Sequence, residues 1–387
     1  MLDPRQQPLR AHDGTLDPTD LRAFAAPHRD AAGRARLIEL ARRVRAERVI
    51  RSVVARRGAW EHVHESVVHA LERLPAVASR DWQNVDRALS QLACGDLNDA
   101  SLGDGVVRAA MAAATPDSPA FEAELSAPMR LRWRDVITPR VRAVAFDPSA
   151  PDQLTVRSVD GKTIVVSSTD DARIVRTPRV TFGDTTSSLV PAWMHDTYSC
   201  FADGFEPSPL ETPKLVKETT ELGAFLAAAA PEHLGWIQEV TCDLVPVCAR
   251  DNLLLSGTCP QFPGRIAATF PLSPVALGEL LVHEASHLHL GLAGELATLD
   301  DGSDPDLYYS PARKTGRPID KILLAFHAWA NICVFYEKCL EKDLDRDGWA
   351  ERNLSAMKKE TDELRHGLEK SPALTPYGHA LWMPFYE

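Results

Sequence analysis

The sequence lacks several features that would assign it to a broad protein class at once. Its seven cysteines contain no C-x-x-C pair, and a scattered set of odd number in a chain of 387 residues indicates buried, reduced thiols rather than a disulfide framework. No uninterrupted apolar run is long enough to span a membrane, and the first residues hold no apolar segment of a secretion signal. These absences predict a cytoplasmic protein that has no membrane anchor.

The chain also lacks an excess of positive charge, since 43 Lys and Arg stand against 54 Asp and Glu. The formal net charge of -11 argues against a chain that works by neutralising nucleic-acid phosphates. We interpret one basic run, "ARRVRAERVIRSVVARR" (residues 41–57), as the solvated face of a helix. With 44% hydrophobic and 25% charged residues the composition is that of a globular protein, and the length allows two or three structural units.

The hydrophobic pattern changes along the chain and predicts an α+β fold. From about Asp17 to Ala93 apolar and charged residues alternate at helical spacing, which predicts several amphipathic helices. Between Val136 and Val180 the chain carries short β-branched runs, and Asp160-Gly161 is a hairpin signal between two of them. This stretch is predicted to form a small antiparallel sheet.

Downstream, residues 219–230 have a helical pattern, whereas residues 236–249 and 264–271 have the pattern of strands. Ser273 followed by Pro274 is typical of a helix N-terminus, so a buried helix is predicted from Pro274 through His289. We therefore expect a helical N-terminal region (1–134), a β-rich segment (135–210) and a mainly helical metal-binding region (211–387).

The segment "LVHEASHLHLGL" (281–292) contains the order H-E-x-x-H. On a helix, residues four apart share one face, so His283 and His287 can offer two imidazole nitrogens to one metal ion. Glu284 lies one step around the helix, where it can act on a bound water or hold a ligand. The alternative is a core helix whose polar residues are satisfied by hydrogen bonds. His289 lies on roughly the opposite face and is predicted to be a surface or hydrogen-bonded histidine.

A third ligand has to come from elsewhere in the chain. The extended protease pattern H-E-x-x-H-x-x-G-x-x-H fails, because its glycine position is Leu290 and its last histidine position is Ala293. A second apolar helix, "KILLAFHAWANICVFYEKCLE", offers His327 first and Glu337 second. A core histidine bonded to a backbone carbonyl is an equal alternative for His327.

Between these two helices lies "YYSPARKTGRP" (308–318), which carries two arginines. The planar fork of arginine can bind both oxygens of a carboxylate, which suits an enzyme that holds a dicarboxylate beside a metal. Taken alone, either Arg313 or Arg317 would more often be an ion-pair residue of structural importance.

Residues 236–380 resemble the HEXXH-motif proteins of bacterial peptide natural-product clusters. The resemblance is carried by "FPGRIAATFPLSPVALGELLVHEASHLHL", "DLYYSPARKTGRPIDKILLAFHAWANICVFYEKCL" and "LTPYGHALW". Its most specific element is the Y-Y-x-P-x-R-x-x-x-R-P pattern formed by Tyr308, Tyr309, Pro311, Arg313, Arg317 and Pro318.

That family is regarded as iron(II)- and 2-oxoglutarate-dependent, acting on an aspartate-type β-carbon of a ribosomally made precursor peptide. The resemblance implies Fe(II) on His283 and His287, 2-oxoglutarate at Arg313 or Arg317 beside Tyr309, and O2 as oxidant. The expected partner is the precursor peptide, with no nucleic acid and no membrane, and a homodimer is compatible with the sequence.

Two other functions remain open at this point. A zinc metallopeptidase would use Glu284 as its general base. A non-catalytic peptide-binding protein would hold a structural metal or none.

Overall fold

The computed structural model describes residues 16–55, 65, 67, 99–112, 114, 120–133, 136–166, 175–182, 185–190, 205–249, 254–258 and 263–387. The predicted α+β class is confirmed. The α-helices are α1 (Ala31–Val54), α2 (Asp99–Ala112), α3 (Thr212–Ala229), α4 (Pro231–Val240), α5 (Pro274–Leu296), α6 (Ile319–Glu341), α7 (Trp349–Lys370) and α8 (Pro376–Trp382), with 3-10 helices at Pro18–Phe24 and Met383–Phe385. The strands are β1 (Phe121–Trp133), β2 (Val136–Phe146), β3 (Leu154–Ser158), β4 (Thr163–Val165), β5 (Val175–Arg176), β6 (Arg179–Phe182), β7 (Thr185–Leu189), β8 (Phe205–Pro207), β9 (Asp243–Ala249), β10 (Ser256–Gly257), β11 (Arg265–Thr269), β12 (Tyr308–Ser310) and β13 (Thr315–Arg317).

The first sheet is the predicted antiparallel meander. Its order is β1-β2-β3-β4, and β5 pairs with β2. The hairpin between β3 and β4 contains Gly161 at φ 81°, a conformation that costs glycine little, so the turn signal is confirmed. The prediction of a helical region up to residue 134 is wrong for β1. Along this strand buried and exposed residues alternate from Phe121 to Leu125, a period of two that fits a sheet with one solvated face.

The second sheet has the order β10-β11-β9-β7-β6, and β8 pairs with the far end of β9. β9 runs parallel to both β11 and β7, whereas β10 is antiparallel to β11. The strand predicted over 236–249 begins only at Asp243. Its first part is helix α4, because Pro231 starts a helix in which Trp236, Ile237 and Val240 turn the same face to the core.

Two hydrophobic cores lie side by side, and α1 belongs to both. Its first half, with Ile38 and Ala41, packs with helices α3 to α8 and the second sheet. Its second half, with Ile50 and Val53, packs with α2 and the first sheet. Strands β6 and β7 belong to the predicted β-rich segment, but they pair in the same sheet as β9 and β11 of the C-terminal region. The boundaries of the three predicted regions remain predictions.

The basic run on α1 is not simply a solvated face, as the sequence had suggested. Arg42 and Arg45 are buried, and Arg45 and Arg48 both bind the carboxylate of Glu295 at the end of α5, at 3.1 and 2.5 Å. One turn from the start of α1, Arg34 is 2% exposed. These arginines attach α1 to the C-terminal helices.

Helices α5 and α6 form the centre of the larger core. The Ser273 hydroxyl accepts a hydrogen bond from the Ala276 amide at the predicted start of α5, and the helix continues to Leu296, two turns beyond the prediction. Helix α6 was predicted over nearly its full length. It is the one helix in the described part of the chain that is long and apolar enough to span a membrane, but most of it is buried in the protein, as is usual for a core helix.

The described cysteines agree with the prediction of reduced thiols. Cys242, Cys333 and Cys339 are buried and Cys248 is half-buried, and none of the four forms a disulfide with another described residue. The other three, at 94, 200 and 259, lie outside the described residues.

Candidate metal centre

His283 and His287 lie one turn apart on α5, as the motif predicts. Their ring centroids are 4.5 Å apart with the planes at 81°. His287 Nδ1 is buried and has no hydrogen-bond partner among the described residues, and the His283 side chain is 29% exposed. Core histidines such as His289 also leave Nδ1 without a partner, so it is the pairing of two neighbouring imidazoles, one of them partly accessible, that fits a metal.

Burial also sets the charge of this pair. It lowers the pKa of His283 to about 4, and it lowers the pKa of His287 well below its usual range, helped there by the neighbouring His283. Both rings are therefore neutral at pH 7, which is the form that can ligate a metal.

Glu284 is held from the sheet side. Its Oε1 accepts a hydrogen bond from the Ser256 hydroxyl on β10 at 2.6 Å, and the backbone N–H of Thr258 donates to the same carboxylate. The same oxygen lies 3.9 Å from His283 Nε2. Burial raises the pKa of Glu284 to about 7, although both hydrogen bonds oppose that rise. The group can thus exchange a proton near neutral pH, directly beside the histidine pair.

The prediction of His327 as third ligand disagrees with the structure. His327 is fully buried, its Nδ1 faces the Ser286 carbonyl at 3.0 Å, and its Nε2 faces the Phe24 carbonyl at 2.7 Å. Neither nitrogen is turned toward His283 or His287, so the alternative of a core histidine bonded to backbone carbonyls describes it better. Burial lowers its pKa to about 4.

Glu337, the second choice, is also separate from the pair. It lies on the exposed side of α6 and forms an ion pair with Lys358 of α7 at 2.6 Å. Among the residues that the structure describes, no third histidine, cysteine, aspartate or glutamate completes a metal-binding group. Within this part of the chain, His283 and His287 are the only two predicted ligands that lie together.

The arginine segment forms the β12–β13 hairpin just before α6. Tyr308 pairs with Arg317 and Tyr309 with Gly316. Tyr309 and Arg313 are exposed and Arg317 is half-buried, and neither arginine side chain has a hydrogen bond or ion pair with another described residue. Within the described part of the chain, they are therefore not the ion-pair residues that the sequence also allowed.

The hairpin leads into the end of α6 that lies close to the histidines. Lys321, in the first turn of α6, is near enough for its charge to lower the pKa of His287. Of the cationic residues Arg313, Arg317 and Lys321, Lys321 is the one that acts on the histidine pair.

His289 is fully buried, so it is the hydrogen-bonded histidine and not the surface one that the sequence also allowed. Its Nε2 faces the Trp236 carbonyl at 2.9 Å, and its ring stacks on Trp236 with centroids 3.6 Å apart. Arg34 from α1 lies over the same tryptophan, 5.0 Å from the ring centroid, and binds Glu239 at 2.7 Å. Sequence reasoning missed this cluster, because Arg34 and Glu239 lie far apart in the chain and match no local pattern.

No family model matches this chain, and no curated protein sequence matches it significantly.

Proposed function

We propose that this protein is an iron(II)- and 2-oxoglutarate-dependent hydroxylase that modifies an aspartate-type β-carbon in a ribosomally made precursor peptide. The observation that carries the proposal is the pair of neutral, neighbouring imidazoles on one turn of α5, one of which has a buried nitrogen without a partner among the described residues. His283 and His287 would hold the metal, which leaves positions on the ion for small-molecule ligands.

The cosubstrate is assigned to the hairpin side of the site. Arg313 and Arg317 have no described partner, so their guanidinium groups are available to a dicarboxylate such as 2-oxoglutarate. Tyr309 is exposed beside them and can add a hydroxyl donor. This assignment gives a role to two arginines that have no partner among the described residues, in a chain whose net charge is -11.

The bound metal would supply the activation of dioxygen at the expense of the keto acid. The protein would supply orientation and water exclusion. Glu284, fixed by Ser256 and Thr258, would hold or release a proton next to the ion. The apolar residues around α5 would keep bulk water away from the reacting carbon.

A zinc metallopeptidase is the second candidate, favoured by the position of Glu284. A carboxylate oxygen 3.9 Å from an imidazole of the pair is placed to take a proton from a metal-bound water. Under this alternative the free arginines have no assigned role, which is why we rank it second.

The test is an anaerobic titration of the metal-free protein with Fe(II) and then with 2-oxoglutarate, followed by visible absorption. We expect a charge-transfer band that is lost in His283→Ala and weakened in Arg313→Ala or Arg317→Ala. Arg346→Ala, at another exposed arginine, is the matched control and should leave the band unchanged. Tight zinc binding with no such band, together with peptide cleavage that 2-oxoglutarate does not affect, would overturn the proposal in favour of the peptidase.

A further inference from the structure

A cavity of about 460 Å³ opens between the 3-10 helix Pro18–Phe24 and the start of α1. A second, of about 390 Å³, lies between the same 3-10 helix and α8. Both are lined by Thr19 and Arg22, so Arg22 stands between them. Their volumes fall in the range of small-ligand pockets. None of the candidate metal-site residues lines them.

Three buried nitrogens around these cavities have no hydrogen-bond partner among the described residues. They are Arg22 Nε, Arg29 Nε and His379 Nδ1. Arg22 and Arg29 line the larger cavity, and Arg22 and His379 line the smaller one. Both arginine nitrogens can only donate, so what is missing at this place is an acceptor.

The acidic side chains at the larger cavity are already engaged. Asp30 caps α1 by accepting from the Gly33 amide at 2.9 Å, and Asp20 accepts from the Asp17 amide at 3.2 Å. Arg36, on the exposed first turns of α1, lines the cavity and has no side-chain partner in the described part of the chain. The lining of the larger cavity holds three arginines against two aspartates, so positive charge is in slight excess along it, although the whole chain is acidic.

Arg22, which lines both cavities, already binds one carboxylate of the protein itself. Arg22 donates two hydrogen bonds to the carboxylate of Glu387, at 2.7 and 3.0 Å. Both side chains are about 40% exposed, at 41% and 42%. An exposed ion pair of this kind contributes little stability, so another oxyanion can displace it at low cost.

We infer that the two cavities around Arg22 form a binding site for a small carboxylate- or phosphate-bearing ligand. Arg22 and Arg36 would bind its oxyanions through their guanidinium forks, and Glu387 competes for Arg22 when the ligand is absent. This site is separate from the metal pair and does not depend on the proposed hydroxylation.

The experiment is isothermal titration calorimetry of the full chain with inorganic phosphate and, separately, with citrate. At least one probe should bind, and its affinity should fall about tenfold in Arg36→Ala, which corresponds to the loss of one oxyanion contact. Glu387→Gln should bind the same probe more tightly, because it frees Arg22. The better probe shows whether the site prefers phosphate or carboxylate.

Arg43→Ala is the matched control. Arg43 is an exposed arginine of the same helix, paired with Glu39 and away from the cavities, and its loss should leave the affinity unchanged. The inference is overturned if neither probe binds wild type or Glu387→Gln at concentrations up to about 10 mM. It is equally overturned if Arg43→Ala weakens binding as much as Arg36→Ala does, since the effect would then be one of net charge.

Discussion

Ser256 is the side chain that fixes Glu284 from the neighbouring sheet. Replacing it with alanine leaves the buried carboxyl group with the Thr258 amide as its remaining donor. We expect Ser256→Ala to lower the free energy of unfolding by about 1–3 kcal/mol, the cost of an unmet buried polar group. Urea unfolding of the metal-free protein measures this.

Ser286→Ala is the matched comparison. This buried serine also lies on α5, but its hydroxyl donates to the Val282 carbonyl one turn earlier in the same helix, at 2.7 Å. That carbonyl keeps its helical bond when the hydroxyl is removed, so the loss should be smaller. Equal losses in the two variants would contradict the role given to Ser256.

Some residues of the candidate site could be predicted from the sequence, and others could not. The spacing of His283 and His287 is a local pattern, and one helical turn is enough to place both rings. The environment of His327 is not local, because one of its two carbonyl partners is Phe24, 303 residues away. No periodicity can report that contact, so ligand and core histidine looked alike in the sequence.

At the scale of elements, the packing of α5 on α6 depends on a close approach at Gly278. A Cβ atom built there would lie 2.6 Å from Cζ of Phe335. We expect Gly278→Ala to lower the free energy of unfolding by about 1–3 kcal/mol, although alanine is the better helix former. Thermal or urea unfolding would show it.

Gly291 provides the control on the same helix, since a Cβ there meets nothing within 4 Å. Gly291→Ala should be neutral or stabilise by up to about 1 kcal/mol. If both variants changed the free energy of unfolding in the same direction, the close contact between Gly278 and Phe335 would not be what determines the effect of an added methyl group.

A second element-scale prediction concerns the attachment of α1 to α4. Arg34 is 2% exposed and binds both carboxylate oxygens of Glu239, at 2.7 and 3.2 Å. Arg34→Met would leave Glu239 partly buried without its partner and should cost on the order of 3 kcal/mol. Arg43→Met, at the exposed pair with Glu39, should cost less than about 1 kcal/mol, and urea unfolding should separate the two clearly.

Elements that carry their own end signals were predicted well. Ser273-Pro274 marked the start of α5, and the Asp160-Gly161 turn marked the hairpin between β3 and β4. Residues 236–240 were assigned to a strand because Trp, Ile and Val favour sheets, but Pro231 and the spacing of the buried side chains made them helical. Strand β1 was missed because its short alternating stretch follows a long region of helical pattern.

At the scale of the whole molecule, buried neutral histidines tie stability to pH. Burial lowers the pKa of His233 and of His327 to about 4, against an ordinary value of 6.5 in the unfolded chain. Between pH 6.5 and 4 the unfolded chain therefore binds more protons than the native protein. Stability is lost as the pH falls through this window, by about 1.4 kcal/mol per pH unit for each histidine.

His327→Gln tests this without removing the possibility of hydrogen bonding. The drop in the free energy of unfolding between pH 7 and pH 5 should be about 2 kcal/mol smaller in this variant than in wild type. His366→Gln, at an exposed histidine of α7, should keep the wild-type drop. A stability that did not change between pH 7 and 5 would show that these histidines are not neutral in the native protein.

The 3-10 helix Pro18–Phe24 is synthesised early, but its contacts are with residues near the other end of the chain. Its carbonyl at Phe24 binds His327, and the Ala25 carbonyl just after it binds the Asn331 amide. Arg22 and Arg29 bind Glu387 and the Pro384 carbonyl. At ordinary rates of translation these partners leave the ribosome roughly 15–75 s after the segment itself. For that interval the early segment has none of these contacts, which makes it a natural target for chaperones that hold nascent chains.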